Sequence, residues 1–496
     1  MLAKVKSLNI IAGRPVAFLP IEIAKWLNVA VGDRIAIKKY GQANEIAAIV
    51  DITKTEERDC VYLSNEVFSI LKLAEGDVVE INPAQKPLSI FYIKEKLDGK
   101  KLGYEKIYEI ISRLVKNELS EAEIAYFVSA CYTRGMSMDE IFSLTKAMIE
   151  VGKRISFDTR YVLDKHCIGG IPGNRVTPLI TSIVAAAIKE FKLDAVIPKT
   201  SSRAITSAAG TADVIELLAR VEFDVDEIKA IVKKAYGCLV WGGGLGISPA
   251  DDKIIQVERF LNLDPESQLI ASIMSKKIAV GSNIILIDIP YGKGAKVESL
   301  EKARKLKTMF EAIAKRFKVK LKAVLTDGKQ PIGNGIGPML ELIDLIAVLK
   351  NKPNRPLDLY NKSIFLAKQL LEMVNKKASQ SAEQILKSGK AYEAFERIIK
   401  AQGGEVNEKK LATSSLYEEI KSEKDGKIVE IDNKKINFVA RVAGCPVDKL
   451  AGIYLMKHLG DKVEKAEPYA ILYAETKEKL QHALKVFKSM APITIK

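Results

Sequence analysis

The sequence is poor in cysteine, histidine and tryptophan, with five, three and two among 496 residues. Cys60, Cys131, Cys167, Cys238 and Cys445 are scattered without a CxxC pair, which argues against a zinc site and against a disulfide framework. With only His166, His458 and His482 available, a multi-histidine metal centre is close to excluded. Long apolar runs are missing too: "SNIILIDIP" is of strand length and far short of a membrane span. The stretch "MLAKVKSLNIIAGRPVAF" lacks a long apolar region followed by a small-residue cleavage site, so no signal peptide is expected. Together these absences suit a reducing cytoplasm.

What is present is an ordinary globular composition, 48% hydrophobic and 28% charged. The length implies about two to four domains. A net charge of +15 would suit nucleic acid or a phosphorylated substrate. Lysines and glutamates alternate along the whole chain, however, rather than forming one basic block. Such a surface is also common at high temperature, and neither a nucleic-acid nor a membrane partner is expected.

Residues 1–84 contain an internal echo. "IAKWLNVAVGDRIAI" and "VFSILKLAEGDVVEI" share one frame: short helix, turn at Gly32-Asp33 or Gly76-Asp77, alternating strand. Two interlocked copies suggest a small β-barrel of the double-psi type, structural or assembly-related rather than catalytic. A linker is expected at 81–89 and a helical lobe over 85–160, rejoined by about 246–278. In that lobe Ser120 and Glu123 form a capping box, with Ile124, Phe127, Val128 and Cys131 on one helix face. From 161 to 345 short apolar runs alternate with helical stretches, the signature of a wound, mostly parallel α/β lobe. A helical connection (346–420) and a C-terminal α/β domain (421–496) complete a multidomain α/β fold.

The segment "DKHCIGGIPGNRVTP" (164–178) follows a strand and precedes a helix. Its glycines, Lys165 and the positive helix end suit an anion, although a tight turn with an incidental lysine would read the same. Gly169, Gly170 and Gly173 permit close backbone approach, with Thr177 expected just before the helix and Pro178 in its first turn. A second stretch, "KTSSRAITSAAGTADVIE" (199–216), is rich in hydroxyls that serve either as caps and turns or as phosphate ligands. Two such loops at the carboxyl edge of one sheet favour a phosphate site.

With "RGMSMDEIFSLTKAM", "IASIMSKKIAVGSN" and "TDGKQPIGNGIGP", these stretches resemble the thymidine/pyrimidine-nucleoside phosphorylase family, in the family's order, from about residue 100 onward. The resemblance implies a helical lobe and an α/β lobe with an active cleft between them, working as a dimer. Carried over by position, it implies phosphate ligands at Lys165, Thr177, Ser201 and Thr211, while Cys167 replaces a family serine. Ser272 and Lys276 match base-contacting positions, yet the family's base-reading tyrosine and arginine fall on Ile254 and Val257. That departure, the extra domain and the wording "SSRAITSAAGT" resemble the archaeal branch acting on nucleoside 5′-monophosphates. On that resemblance the expected activity is that of a glycosyltransferase (pentosyltransferase). AMP, and also CMP and UMP, would react with phosphate to give free base and ribose 1,5-bisphosphate in nucleotide salvage or degradation.

The resemblance further implies Asp264 as proton donor. It implies nucleotide contacts at Gly170, Ser202, Arg203, Ala204, Ile205, Thr206, Ser207, Thr211, Ser272 and Lys296, with Arg203 and Lys296 as the cations available for a 5′-phosphate. Phosphate held in line with C1′ offsets positive charge on the sugar, and the departing base takes a proton from a carboxylic acid. Asp264 is therefore expected in a shielded site that raises its pKa. No metal or cofactor is expected; inorganic phosphate is the co-substrate. The alternative within the fold is a nucleoside phosphorylase acting on thymidine or uridine. Phosphoribosyltransferases are related, but no paired-carboxylate motif for magnesium stands out.

Overall fold

Two similar stretches of sequence make two similar pieces of backbone. Strands β1 (Leu2–Ser7), β2 (Val16–Pro20), β3 (Arg34–Lys39), β4 (Glu45–Thr53), β5 (Cys60–Leu63) and β6 (Val78–Pro83) close into a barrel in the order β1-β5-β2-β4-β3-β6. Helix α1 (Ile21–Leu27) leads into β3, and α2 (Asn65–Leu71) leads into β6. Each helix ends on a left-handed residue, Asn28 or Lys72. Each following turn is tied by an aspartate: Asp33 Oδ2 accepts from the Ala30 amide at 2.9 Å, and Asp77 Oδ2 from the Ala74 amide at 2.8 Å. The pairs β1–β5 and β2–β4 are parallel and the other ladders antiparallel. Val5, Leu19, Ile35, Ile37, Val61, Leu63, Val79 and Ile81 fill the interior. Closure leaves no strand edge exposed.

This computed structural model describes residues 1–496 except Glu56, Arg58, Lys86 and Asn262. Lys86, within the linker expected at 81–89, therefore lies outside the described residues. The chain divides into two compact units: Met1–Gly152 with Ser248–Ser272, and Lys153–Ile247 with Ile273–Lys496.

The first unit adds to the barrel four helices, α3 (Leu88–Leu97), α4 (Tyr104–Val115), α5 (Glu121–Arg134) and α6 (Met138–Glu150), and the returning helix Pro249–Leu261. The capping box at Ser120 and Glu123 forms, and a second one, Ser137 with Glu140, starts α6. Glu140 also closes a buried ion pair with Lys96 at 2.7 Å and accepts from the Leu102 amide at 3.0 Å. Arg34 of β3 binds the Glu118 carbonyl and the Glu123 carboxylate, fastening barrel to helices. Ile254 and Val257 lie in the apolar core with Ile110, Phe127 and Leu144.

The second unit is built on five parallel strands: β7 (Tyr161–Cys167), β8 (Ala195–Ser201), β9 (Gly237–Trp241), β10 (Ile284–Tyr291) and β11 (Lys320–Asp327). Their order is β11-β10-β7-β8-β9. The chain winds outward from β7 to β9, then returns to β7's other side, so the topological switch lies between β7 and β10. Helix α7 (Val176–Glu190) is buried along nearly its whole length against the helices Leu357–Glu372 and Lys390–Ala401. The segment beyond residue 410 forms a four-stranded sheet that takes in Gly335–Ile336 from the TDGKQPIGNGIGP stretch, and a three-stranded one. Helices Asn433–Val442 and Lys477–Met490 pack with these.

Candidate phosphate site at the sheet's carboxyl edge

Alternation along β7 sends Lys165 and Cys167 to one face of the sheet and Asp164 and His166 to the other. On the first face Lys165 is 1% exposed, and its Nζ has no hydrogen-bond partner. It lies 3.8 Å from Oδ2 of Asp288 on β10. Oδ1 of Asp288 accepts from the Thr326 hydroxyl at 2.6 Å. Burial pushes the Lys165 ammonium below its ordinary value, only partly countered by Cys167 and Asp288. Burial alone would raise Asp288, but Lys362 and Lys165 outweigh it and hold that carboxyl below the usual range. Burial and then Asp288 push the Cys167 thiol up, and its Sγ accepts from Asn174 Nδ2 at 3.4 Å.

On the opposite face Asp164 is flanked by Lys277 at 2.7 Å and Lys199 at 3.3 Å. His166 is held neutral there: desolvation, then Lys277, Lys199, Lys276 and Lys165, push its pKa well down. Strands β7 and β8 are in register only at Tyr161–Ala195 and Val162–Val196. The carboxyl halves beyond that ladder carry Lys165, Lys199 and Ser201, whose Oγ is buried and without a partner.

The loops above these strands are held closed by their own residues. Gly170 has φ +88°, and a Cβ there would lie 2.8 Å from the Lys296 amide, so Lys296, in the loop after β10, abuts the glycine loop at the switch point. After β8, Oδ2 of Asp213 accepts from the amides of Ala204 and Gly210, both at 2.7 Å, cinching 204–210 into a ring. A Cβ on Gly210 would come within 2.5 Å of the Ser202 carbonyl. Helix α8 (Thr211–Ile215) begins there.

Sequence reasoning missed Arg175, the residue that knits these loops together. Its guanidinium donates to Thr211 Oγ1 and the Ala209 carbonyl, both at 2.9 Å, and pairs with buried Glu341 at the start of helix Pro338–Leu349. Burial raises Glu341's pKa despite that pairing. The only signal was an arginine beside glycine and asparagine in "GNRVTP"; its acceptors lie up to 166 residues away. Arg175→Met leaves a buried carboxylate without its cation, and unfolding stability is expected to fall by about 3–5 kcal/mol, as measured by urea denaturation.

Arg203 has carboxylate partners: its guanidinium binds Glu216 at 2.7 and 2.8 Å and Glu222 at 2.9 Å, and lies over the Trp241 ring. Two expectations need correction. Thr177 does not precede its helix: α7 starts at Val176 with Arg175 as N-cap, making Thr177 its second residue and buried. Asp264 is exposed rather than shielded, because it sits in the turn between helices Pro249–Leu261 and Glu266–Ala279.

The second unit thus carries Lys165 on β7, Ser201 on β8, Thr177 and Thr211 at the starts of α7 and α8, and Gly170, Ser202, Arg203, Ala204, Ile205, Thr206, Ser207 and Lys296 in the loops after β7, β8 and β10. Asp264 and the partly exposed Ser272 belong to the first unit, and Lys276 to the second.

Three family models match the chain. "Glycosyl transferase family, helical bundle domain" covers residues 91–152, "Glycosyl transferase family, a/b domain" covers 159–392, and "Pyrimidine nucleoside phosphorylase C-terminal domain" covers 427–494. The chain is 41% identical to AMP phosphorylase 1 of Archaeoglobus fulgidus over 98% of its own length and 95% of that protein. It is 42% identical to the AMP phosphorylase of Methanocaldococcus jannaschii, covering 93% and 92%. A putative thymidine phosphorylase of Rhodopseudomonas palustris is 44% identical over 86% of this chain and 82% of its own. The solved anthranilate phosphoribosyltransferase of Thermus thermophilus superposes with a TM-score of 0.51 at 18% identity, over 63% of this chain and 99% of that one, a likeness of fold. With such relatives along nearly its whole length, the chain belongs to the AMP phosphorylase family, within the wider pyrimidine nucleoside phosphorylase group.

Proposed function

We propose that this protein phosphorolyses AMP, and nucleoside 5′-monophosphates such as CMP and UMP, to free base and ribose 1,5-bisphosphate. The observation that carries this reading is Lys165, a sealed amine without a hydrogen-bond partner at the edge where open α/β sheets take their ligands. An anion there satisfies the amine and restores the charge that burial disfavours. Inorganic phosphate is the nucleophile, held by Lys165, Ser201, Thr211 and the amide-rich turn from Gly169 to Asn174. Holding it against C1′ removes much of the entropic barrier. Asp264 gives the leaving base its proton; because it is exposed, the shielding comes from the bound nucleotide. The step needs no metal or redox cofactor, since its nucleophile is phosphate and its electrophile a sugar. We take the working protein to be a cytoplasmic homodimer, which equilibrium sedimentation checks.

Specificity for a nucleotide is supported by what replaces the family's base-reading pair. Ile254 and Val257 are core residues with no polar edge to offer a pyrimidine. On the family resemblance, Lys296 is the cation assigned to the 5′-phosphate. A charge-assisted contact of this kind is worth about 1.5–3 kcal/mol, so AMP should exceed adenosine in kcat/KM on the order of 10–10²-fold for each contact made in the transition state. Adenine release from the two substrates at saturating phosphate is the test. Equal values would return the protein to the nucleoside phosphorylases, the reading the Rhodopseudomonas relative's name favours.

A further inference from the structure

Lys362 has no part in the reading above, yet its surroundings are unusual. It projects from helix Leu357–Glu372 with its side chain 10% exposed, and its Nζ lies 3.3 Å from Oδ2 of Asp288 without forming a hydrogen bond. Lys165 approaches the same oxygen from β7 at 3.8 Å, also without a hydrogen bond. The other carboxylate oxygen is taken by the Thr326 hydroxyl. One carboxylate oxygen therefore faces two ammonium groups, and the nearer belongs to the lysine on the helix, not to the one on β7.

The buried pair of Lys96 looks different. Lys96 and Glu140 form a one-to-one buried pair at 2.7 Å, and Glu140's remaining capacity is met by backbone amides. The Asp288 group is two cations to one anion, with Lys362 at 3.3 Å and Lys165 at 3.8 Å. In a site closed to water, charge interactions fall slowly with distance and are little screened. A lone Asp288 would pair with Lys165 and neutralise it, and an incoming anion would have to break that pair. With Lys362 against Asp288, the three groups sum to one positive charge that the fold itself leaves uncompensated.

We propose that Lys362 is a positioning residue that occupies Asp288 and so leaves Lys165 uncompensated for inorganic phosphate. Lys362 does not itself touch the phosphate. The proposal rests on Lys165 being a phosphate ligand. It assigns the Asp288–Lys362 pair a role that neither residue could have alone: the carboxylate keeps two lysines from repelling each other, and the second lysine keeps the carboxylate from silencing the first.

The test compares wild type, Lys362→Met and the double variant Asp288→Asn/Lys362→Met. Inorganic phosphate is titrated by calorimetry, and KM for phosphate and kcat are measured at saturating AMP. Lys362→Met is expected to weaken phosphate binding and raise its KM by about 10–100-fold, the scale of one charge-assisted contact, with kcat within a few-fold. The double variant is expected to recover most of that loss, because the competing carboxylate leaves together with its cation. A purely structural lysine would lower kcat and melting temperature without a selective change in phosphate KM, and removing Asp288 as well would make matters worse. The proposal is overturned if folded Lys362→Met binds phosphate as wild type does, or if the folded double variant stays as weak as the single one. Should Lys362→Met fail to fold, the double variant alone decides: near-wild-type phosphate affinity supports the proposal and weak affinity overturns it. Wild-type protein that binds no inorganic phosphate would overturn the phosphate-site reading and this proposal with it.

Discussion

Replacing Lys165 with methionine should give a folded protein that has lost phosphorolysis, with kcat/KM for phosphate reduced on the order of 10²–10⁴-fold. The magnitude follows from removing one partner of a desolvated charge pair, about 3–5 kcal/mol. Methionine fills similar volume, and the fold loses little, because a buried ammonium without a hydrogen bond is a burden on the apo protein. The melting temperature is therefore expected to hold or rise, while activity disappears, a separation that a packing residue would not give. The pH dependence has a definite sign. Lys165 holds its proton more weakly in the folded chain than the ordinary 10.5, so its destabilising effect is full at low pH and is relieved as pH rises through the lowered value. Phosphate affinity should fall over the same window, since the anion needs the ammonium. Calorimetric titration of phosphate across pH would show proton uptake on binding. An unchanged kcat/KM in Lys165→Met would remove this residue from the site.

Asp264→Asn should lower kcat on the order of 10²–10⁴-fold while nucleotide binding survives, because the amide keeps the shape and cannot deliver a proton. The turn that carries Asp264 is exposed, so the substitution should leave the fold intact. Leaving groups provide the sharper test. A nucleotide whose purine is already cationic through N-methylation departs without needing a proton, and the variant should turn it over at nearly the wild-type rate. If the variant loses as much on that substrate as on AMP, Asp264 acts in some other way. Full activity on AMP would show that the donor is another group.

What the sequence made legible was whatever local spacing dictates. The L-x-x-x-x-G-D frame states its helix, its left-handed turn and its strand within fifteen residues, and both copies fold accordingly. The box at Ser120 was legible for the same reason, and Ser137 with Glu140 has the same S-x-x-E spacing but passed unread. The glycine loop and the hydroxyl loop could be placed at one sheet edge because each follows a strand and precedes a helix. Long-range pairing was not legible. Nothing in "SSRAITS" says that Arg203 will be taken by Glu216 and Glu222, and nothing near Arg175 points to Glu341. Strand β9 was overlooked because "GCLVW" is short and lies against a glycine-rich turn. The exposure of Asp264 depends on how two helices meet across a turn, which composition does not encode.

The barrel's alternating order has a consequence for how the chain acquires its shape. Counting β1–β3 as one copy and β4–β6 as the other, each of the six ladders joins a strand of one copy to a strand of the other. Among the described residues, neither copy contains a strand pair of its own. A nascent chain of the first forty residues can therefore form its helix and its aspartate-tied turn but no sheet at all. Pairing begins only when β4 meets β3 as a hairpin, and the ring closes only when β6 reaches β1 and β3. Such non-local contacts make loop closure the slow event, so this module should acquire its order late and in one step. Two halves alike in sequence thus make a single cooperative object.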